Sequence, residues 1–241
     1  MERTEIHHKA LWRLVVVGGH TRSIGKTQLV CDIISAFPNV EWIAGKITQY
    51  GHGVCAQNGE DCDCAPTEHV CALDWETNSK SGTDSARFLE AGAKKSFWLR
   101  TKQGYLAEGL PLLRQALDEI SWQASGDRAV IVESNSLMQF VKPSLYFAVI
   151  DPQKEDFKAS AQTALDRAQA LVLRGELTTG ASPSASPSTS PSASPSTLWL
   201  KLPAQLLKEK PSVIQREGEG LPQPLRVLVH RMIEGVPTAA I

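Results

Sequence analysis

Nine consecutive residues near the N-terminus combine small side chains with one ammonium group and one hydroxyl. They run from Gly19 to Thr27 with the sequence GHTRSIGKT, and they lie between an apolar run and a segment with helical spacing. Small residues let backbone N–H groups approach an anion at a helix N-terminus, a lysine neutralises its charge, and a hydroxyl is a ligand for Mg²⁺. This pattern predicts a loop that binds the phosphates of a nucleotide.

Each residue of this stretch, called the 19–27 loop below, is a candidate nucleotide contact: Gly19, His20, Thr21, Arg22, Ser23, Ile24, Gly25, Lys26 and Thr27. We expect Lys26 to neutralise phosphate and to be catalytic, and Thr27 to ligate Mg²⁺. Glu133 ends the apolar run RAVIVE. It is the second catalytic candidate, since a carboxylate there would hold the metal's water or polarise an attacking water. The sequence contains no N-K-x-D motif for guanine, so both GTP and ATP fit.

Two further charged residues are candidate nucleotide contacts because each lies where a predicted element begins or ends. Lys46 ends a predicted strand and would reach a phosphate or an acidic substrate; a solvated lysine is the alternative. Asp84 begins a predicted helix, where a carboxylate either caps backbone N–H groups or faces the nucleotide and its Mg²⁺.

Four of the five cysteines fall in one short, polar segment: Cys55, Cys62, Cys64 and Cys71. Thiolates grouped with imidazoles are typical ligands of Zn²⁺, or of an iron–sulfur cluster where four thiolates converge. The preferred ligand set is Cys55, Cys62 and Cys64, completed by His69 or Cys71. Reduced cysteines without a metal are the alternative, which would leave exposed thiols open to oxidation.

Outside this segment, β-branched runs alternate with amphipathic stretches. Strands are predicted at 14–19, 42–48, 96–100, 128–133, 145–150 and 170–173, and helices at 25–37, 83–93, 106–120, 159–168 and 221–233. Such alternation implies right-handed crossovers between parallel strands. We therefore expect an α/β fold of the P-loop NTPase type, with a mostly parallel sheet, helices on both faces and a Cys-rich loop insertion.

A low-complexity segment divides the chain. Residues 182–196 carry a proline at every fourth position and almost no side chain that a core could bury, which is typical of a disordered spacer. The predicted organisation is a nucleotide-binding core at 1–177 with its insertion at 50–80, a Ser/Pro-rich linker at 178–197, and a final segment at 198–241. That final segment, with an edge strand at 198–202, is too short for its own core and is expected to complete the same domain.

Charge and apolar patterning narrow the classes of partner that the protein is expected to bind. With 25 basic and 26 acidic residues the formal charge is −1, whereas nucleic-acid binders normally carry a basic excess. No apolar run reaches the roughly 18 to 20 residues of a membrane span, and the polar N-terminus has no secretory apolar region. We expect a cytoplasmic protein that binds neither nucleic acid nor membrane.

Three blocks resemble MobB, the family of molybdopterin-guanine dinucleotide biosynthesis adaptor proteins. They are IAGK at 43–46 with His52 after it, GTDSARFLEAGA at 82–93, and VIVE at 130–133. The resemblance extends over about residues 12–175, and the second block is its most specific part. It implies slow, Mg²⁺-dependent nucleotide hydrolysis that serves assembly of the molybdenum cofactor or another metallocofactor. It also implies a cofactor-biosynthesis or metalloenzyme partner and the possibility of a homodimer.

The separation of Gly19 and Gly25 by five residues resembles the phosphate loop of dethiobiotin synthetases and cobyrinic acid amide synthases. The sequence therefore leaves two alternatives to nucleotide hydrolysis in metallocofactor assembly. One is an ATP-dependent synthetase that activates a carboxylate or carbamate, with Lys46 contacting the substrate. The other is a non-catalytic metal-binding module that retains a vestigial phosphate loop.

Overall fold

A computed structural model describes residues 13–50, 69–120, 126–174 and 209–236. Within these ranges, eight strands form one sheet in the order β3-β4-β2-β5-β1-β6-β7-β8, in which β3 alone is antiparallel to its neighbour. The strands are β1 (Arg13–Gly19), β2 (Glu41–Tyr50), β3 (Cys71–Trp75), β4 (Lys95–Lys102), β5 (Arg128–Glu133), β6 (Leu145–Ile150), β7 (Ala170–Arg174) and β8 (Ser212–Gln215). The α/β fold with a mostly parallel sheet is confirmed.

Helices cover both faces of this sheet. They are α1 (Lys26–Ala36), α2 (Asp84–Glu90), α3 (Leu106–Asp118), α4 (Ala159–Gln162) and α5 (Gln223–Ile233), with 3₁₀ turns at Ser136–Gln139 and Leu165–Arg167. Along β1, Val15 and Val17 face the core under α1, α2 and α5, and Val16 faces the core under α3. All three valines are fully buried, which is why the strand is a continuous apolar run rather than an alternating one.

The edge strand β3 corrects the prediction that residues 50–80 form an irregular loop insertion. Cys71 to Trp75 pairs antiparallel with β4, and Leu73 and Trp75 pack against the core under α3. The period-two spacing of Cys71, Leu73 and Trp75 was the available signal, but five residues beside a cysteine-rich loop give a weak pattern.

Two predicted helices are shorter than expected. Helix α2 ends at Glu90 because Gly92 adopts a left-handed φ of 109°, which closes the last turn. The predicted helix at 159–168 is divided into the four-residue α4 and a 3₁₀ turn. Its apolar positions are mostly alanines, which bury little surface to stabilise a continuous helix.

The C-terminal part of the structure adds to the same sheet. The strand predicted at 198–202 lies outside the described residues, and the strand that pairs with β7 is β8, which the sequence analysis missed. Helix α5 buries the predicted apolar face, Leu225, Leu228, Val229 and Met232, in the core that also contains α1. None of the described helices is long and apolar enough to span a membrane.

Candidate functional site

The carboxyl ends of β1, β2 and β5 meet at one edge of the sheet, where the 19–27 loop follows β1. Strand β1 ends at Gly19 and α1 begins at Lys26, so the turn between them occupies six residues. A Cβ at Gly19 would lie 2.6 Å from Ile24 Cδ1 and 2.9 Å from Val149 O. Gly25 has φ 84°, and a Cβ there would lie 2.1 Å from the Arg174 guanidinium. Both positions therefore require glycine, one for space and the other also for conformation.

Helix α1 begins directly after this loop, and no side chain caps its N-terminus. Its N-cap residue, Gly25, has no side chain to accept from the first-turn amides. Within the described part of the chain, the backbone amides of residues 23–27 donate to no protein acceptor. Together with the positive end of the helix dipole, these amides provide a site for an anion.

Lys26 lies beside these amides and is mostly buried. Its Nζ donates to Thr21 O at 2.8 Å, so the ammonium folds back over the loop. Burial lowers the pKa of Lys26, and the nearby Glu133 carboxylate only partly offsets that effect. An anion bound at the loop would favour the charged ammonium, because it supplies the close opposite charge that this lysine lacks.

Thr27 and Glu133 contact each other directly beside the loop. The Thr27 hydroxyl donates to Glu133 Oε2 at 2.6 Å, and Glu133 is 5% exposed. The parallel register of β5 with its two neighbours fixes this geometry, since Glu133 pairs with Val17 of β1 and with Lys46 of β2. A hydroxyl and a carboxylate oxygen are both hard ligands of the kind Mg²⁺ binds, so this pair fits the predicted ion.

Lys46 is held between two carboxylates. Its ammonium contacts Asp84 directly and lies 3.9 Å from Glu133 Oε1. Burial lowers the pKa of Lys46, but the attraction of Glu133 and Asp84 outweighs burial and leaves the pKa raised. For Asp84, burial opposes ionisation, and the Lys46 ammonium outweighs it so that the pKa is lowered. Both groups are therefore charged, and the alternative of a solvated Lys46 is wrong.

The N-terminus of α2 is capped by Thr83, not by Asp84. Thr83 Oγ1 accepts from Ala86 N at 3.1 Å and in turn donates to Glu76 Oε2 at 2.8 Å. Asp84, the first residue of the helix, is thereby left to pair with Lys46. The capping alternative for Asp84 is wrong, and the GTDS segment at 82–85 instead places this carboxylate against Lys46.

His20 and Ile24 support the loop from beneath. The His20 amide donates to Val149 O at 3.2 Å, and its carbonyl accepts from Lys158 N at 2.9 Å. Its ring is buried, and Nε2 donates to Lys154 O at 3.1 Å. The Ile24 side chain is buried in the core with α1. The His20 amide and the side chains of both residues therefore face the protein. His20 does not belong to the lining of the cavity described below, and its contact with a nucleotide stays a prediction.

Several residues that hold the loop were missed by the sequence analysis. The side-chain amide of Asn135 forms two hydrogen bonds with the backbone of Gly19. Its Oδ1 accepts from Gly19 N and its Nδ2 donates to Gly19 O, both at 2.7 Å. Lys154 and Arg174 donate to carbonyls of the loop, and Thr21 donates to Asp156. The only sequence signal for Asn135 was its position two residues after Glu133. Lys154 follows β6 and Arg174 ends β7, and the sequence alone does not place either residue beside the loop.

The predicted ligand set of the cysteine cluster is mostly beyond what the structure describes. Cys55, Cys62 and Cys64 lie outside the described residues. Cys71 is partly exposed at the start of β3, and the His69 carbonyl accepts from the Tyr50 hydroxyl at 3.1 Å. Among the described residues, no group of three or more His, Cys, Asp or Glu side chains is arranged to hold a metal.

A cavity of about 1270 Å³ opens over these groups. Its lining includes the loop from Thr21 to Thr27, then Lys46, Asp84 and Glu133, and also Lys158 and Ser160. Ligand pockets of about 300 to 1,000 Å³ are typical of small-molecule and cofactor sites, so this cavity has room for a nucleotide. The structure thus brings together the predicted Lys26, Thr27, Lys46, Asp84 and Glu133 in one cavity.

Comparison with known proteins gives little beyond this geometry. No family model matches the chain, and no curated protein matches it. Among solved structures, HypB from Helicobacter pylori in complex with nickel is similar at 12% sequence identity and a TM-score of 0.41. That similarity covers 92% of this chain and 88% of the HypB chain. Similarity at this level does not establish a shared function.

Proposed function

We propose that this protein binds the Mg²⁺ complex of a nucleoside triphosphate in the 19–27 loop and hydrolyses it slowly. The observation that carries the proposal is the pairing of Lys26 and Thr27 at an uncapped helix N-terminus with Glu133 in contact with the Thr27 hydroxyl. Phosphate-binding loops need amides, an ammonium and a hydroxyl close to one point, together with a carboxylate from a neighbouring strand.

Each group then has a distinct part in hydrolysis. The loop amides and the Lys26 ammonium bind the phosphates and neutralise them. Thr27 and Glu133 would hold Mg²⁺, which would supply positive charge to offset the charge of the phosphates. The Glu133 carboxylate lines the cavity, where it would orient the attacking water. Water attacks the terminal phosphorus, the bond to the bridging oxygen breaks, and the products are a nucleoside diphosphate, inorganic phosphate and a proton.

The role in the cell follows from the resemblance to MobB. We infer a nucleotide-dependent switch in assembly of the molybdenum cofactor or another metallocofactor, acting with a biosynthetic or metalloenzyme partner. The Lys46–Asp84 ion pair supports a switch, because it joins β2 to the first residue of α2 beside the cavity. In the synthetase alternative, Lys46 would bind a carboxylic substrate, yet two carboxylates of the chain already surround it.

A nucleotide panel tests the proposal. Calorimetry with GTP, GDP, ATP and ADP in Mg²⁺ is expected to show binding, and phosphate release is expected without any carboxylic co-substrate. Lys26→Ala should lose at least tenfold in affinity, since one hydrogen bond to a charged group is worth about 1.5 to 3 kcal/mol. Lys142→Ala, which removes an exposed lysine before β6, is the matched control and should bind as the wild type does.

A second variant separates binding from turnover. Glu133→Gln keeps the size of the side chain and an acceptor for Thr27, so nucleotide binding is expected to persist while phosphate release falls. Unchanged affinity in Lys26→Ala, with Lys142→Ala also unchanged, would refute the loop assignment. Phosphate release that requires an added carboxylic acid would instead favour the synthetase.

The cysteine cluster is proposed as a Zn²⁺ or iron–sulfur site on sequence grounds alone. Elemental analysis of anaerobically purified protein is expected to find about one zinc, or the iron of one cluster, per chain, since tetrahedral sites use four such ligands. Replacing Cys62 and Cys64 by serine should remove the metal. Protein that contains neither metal would contradict this part of the proposal.

A further inference from the structure

Four successive carbonyl groups of the 19–27 loop are bound by two cationic side chains from elsewhere in the chain. Lys154 Nζ donates to Ser23 O at 2.7 Å and to Arg22 O at 3.4 Å. The Arg174 guanidinium donates to Gly25 O at 3.0 Å through Nη2 and to Ile24 O at 3.3 Å through Nε. Neither cation belongs to the lining of the cavity.

Because the peptide unit is planar, the contacts of these carbonyls also determine the direction of the neighbouring amide N–H groups. In a trans peptide the C=O of one residue and the N–H of the next point in opposite directions, and the described residues contain no cis peptide bond. Carbonyls of residues 22–25 that face Lys154 and Arg174 therefore turn the amides of residues 23–26 away from those cations. The same loop lines the cavity, so that is where these amides are available to an anion.

The backbone conformation agrees with this orientation. Residues 22 to 25 alternate in the sign of φ, with positive values at Ser23 (49°) and Gly25 (84°) and negative values at the residues before each. Left-handed residues that alternate with residues of negative φ are a feature of concave anion sites made of successive N–H groups. A left-handed serine is strained by about 1 kcal/mol or more, and the Lys154 contact with its carbonyl opposes that strain.

We propose that Lys154 and Arg174 are positioning residues that set the phosphate-binding conformation of the 19–27 loop through its carbonyls, without touching the phosphates themselves. This inference rests on the proposed function, since it concerns how that site holds its anion. It also explains the left-handed glycine at position 25, where any side chain would occupy the space of the Arg174 guanidinium.

The alternative is that Lys154 and Arg174 act only by long-range attraction for phosphate. A variant of Lys158 provides the comparison that separates this alternative from the positioning role. Lys158 lines the cavity, and none of the loop carbonyls described above accepts from its ammonium. Lys158→Gln therefore removes a positive charge near the anion while leaving the carbonyl contacts intact. Lys154→Gln removes a charge and two contacts with carbonyls.

The experiment records two-dimensional ¹H–¹⁵N spectra of the nucleotide-free protein and the affinity for Mg²⁺–tripolyphosphate, in the full chain. Lys154→Gln and Arg174→Gln are expected to shift the amide signals of residues 23–26 and to weaken tripolyphosphate binding about tenfold each. Lys158→Gln should weaken binding without moving those signals. Arg174→Lys, which keeps one donor and the charge, should recover part of the affinity.

The outcomes distinguish failure of this inference from failure of the proposed function. Amide signals that do not move in Lys154→Gln and Arg174→Gln would overturn the positioning role, whatever the affinities. Signals that move in both variants while the wild type binds neither tripolyphosphate nor nucleotide would support the positioning role and refute the proposed function. Because Arg174 also contacts Gln215 O, Lys154→Gln keeps the test decisive if Arg174→Gln does not fold.

Discussion

His20 lies beneath the 19–27 loop as a buried, neutral imidazole. Burial is the main reason that its pKa is lowered from 6.5, and the carbonyls of Lys154 and Val149 with the carboxylates of Asp156 and Asp151 only partly oppose this effect. Nδ1 has no hydrogen-bond partner in the described part of the chain. The unfolded chain therefore binds a proton more readily than the folded protein does, and folding becomes less favourable as pH falls below about 6.5.

We expect His20→Gln to flatten the dependence of the free energy of unfolding on pH between about 7.5 and 5. The amide of glutamine keeps a donor for Lys154 O but does not titrate. The measurement is urea unfolding at several pH values. His230→Gln, which removes an exposed histidine on α5, is the control, and a slope that responds equally to both variants would count against the assignment.

At the level of single residues, the sequence predicted the groups that the proposed chemistry uses but not those that support the loop. Lys26, Thr27 and Glu133 were identifiable because each terminates or opens a strongly patterned element. Asn135 and Arg174 contact the loop only because β5 and β7 lie near β1 in the sheet. Their roles depend on contacts between residues more than 100 positions apart, which local spacing does not encode.

Among the elements, α3 contains two residues that are usually unfavourable in a helix, and in this structure they have opposite effects on the stability of the protein. Gly109 is buried against β4, and a Cβ there would lie 2.8 Å from Thr101 Cγ2. Pro111 is exposed, lies inside the helix, and has no N–H for the carbonyl of Ala107. The glycine permits close packing of α3 on the sheet, whereas the proline only interrupts the hydrogen bonding.

Alanine at the two positions should therefore change stability in opposite directions. Pro111→Ala is expected to raise the free energy of unfolding by about 1 kcal/mol or more, because it restores a helical hydrogen bond. Gly109→Ala should lower it by about 1 kcal/mol, since crowding against Thr101 outweighs the gain in helix propensity. Urea denaturation measures both. Stabilisation by Gly109→Ala would contradict the close packing of α3 on β4.

Strands with a continuous apolar run were predicted well, and the two edge strands were not. Strands β5 and β6 have the predicted bounds because an unbroken apolar run is what a strand buried on both faces requires. Strands β3 and β8 were missed since each has five residues or fewer and pairs at an edge of the sheet, where one-sided burial leaves little pattern. Tertiary pairing, rather than local preference, determines such strands.

In the molecule as a whole, residues 209–236 belong to the same sheet and core as residues 13–50. Strand β8 pairs with β7, and the Gln215 side chain contacts Asp32 of α1 and donates to Gly220 O at 3.3 Å. Arg226 Nη1 donates to Ala36 O at 3.1 Å, across the junction of α5 and α1. The sequence predicted one domain from the shortness of the last segment, and these contacts predict a single cooperative unit.

Leu228→Ala tests that cooperativity. Leu228 is 2% exposed in the core that also contains Trp42, so its truncation should cost about 2 to 5 kcal/mol. If one unit unfolds, tryptophan fluorescence and far-ultraviolet circular dichroism must report the same lowered midpoint in urea. Val227→Ala changes the neighbouring side chain, which is 40% exposed, and should leave both midpoints near those of the wild type. Two separate transitions, with only one displaced by Leu228→Ala, would mean that α5 and the α1 side of the core unfold independently.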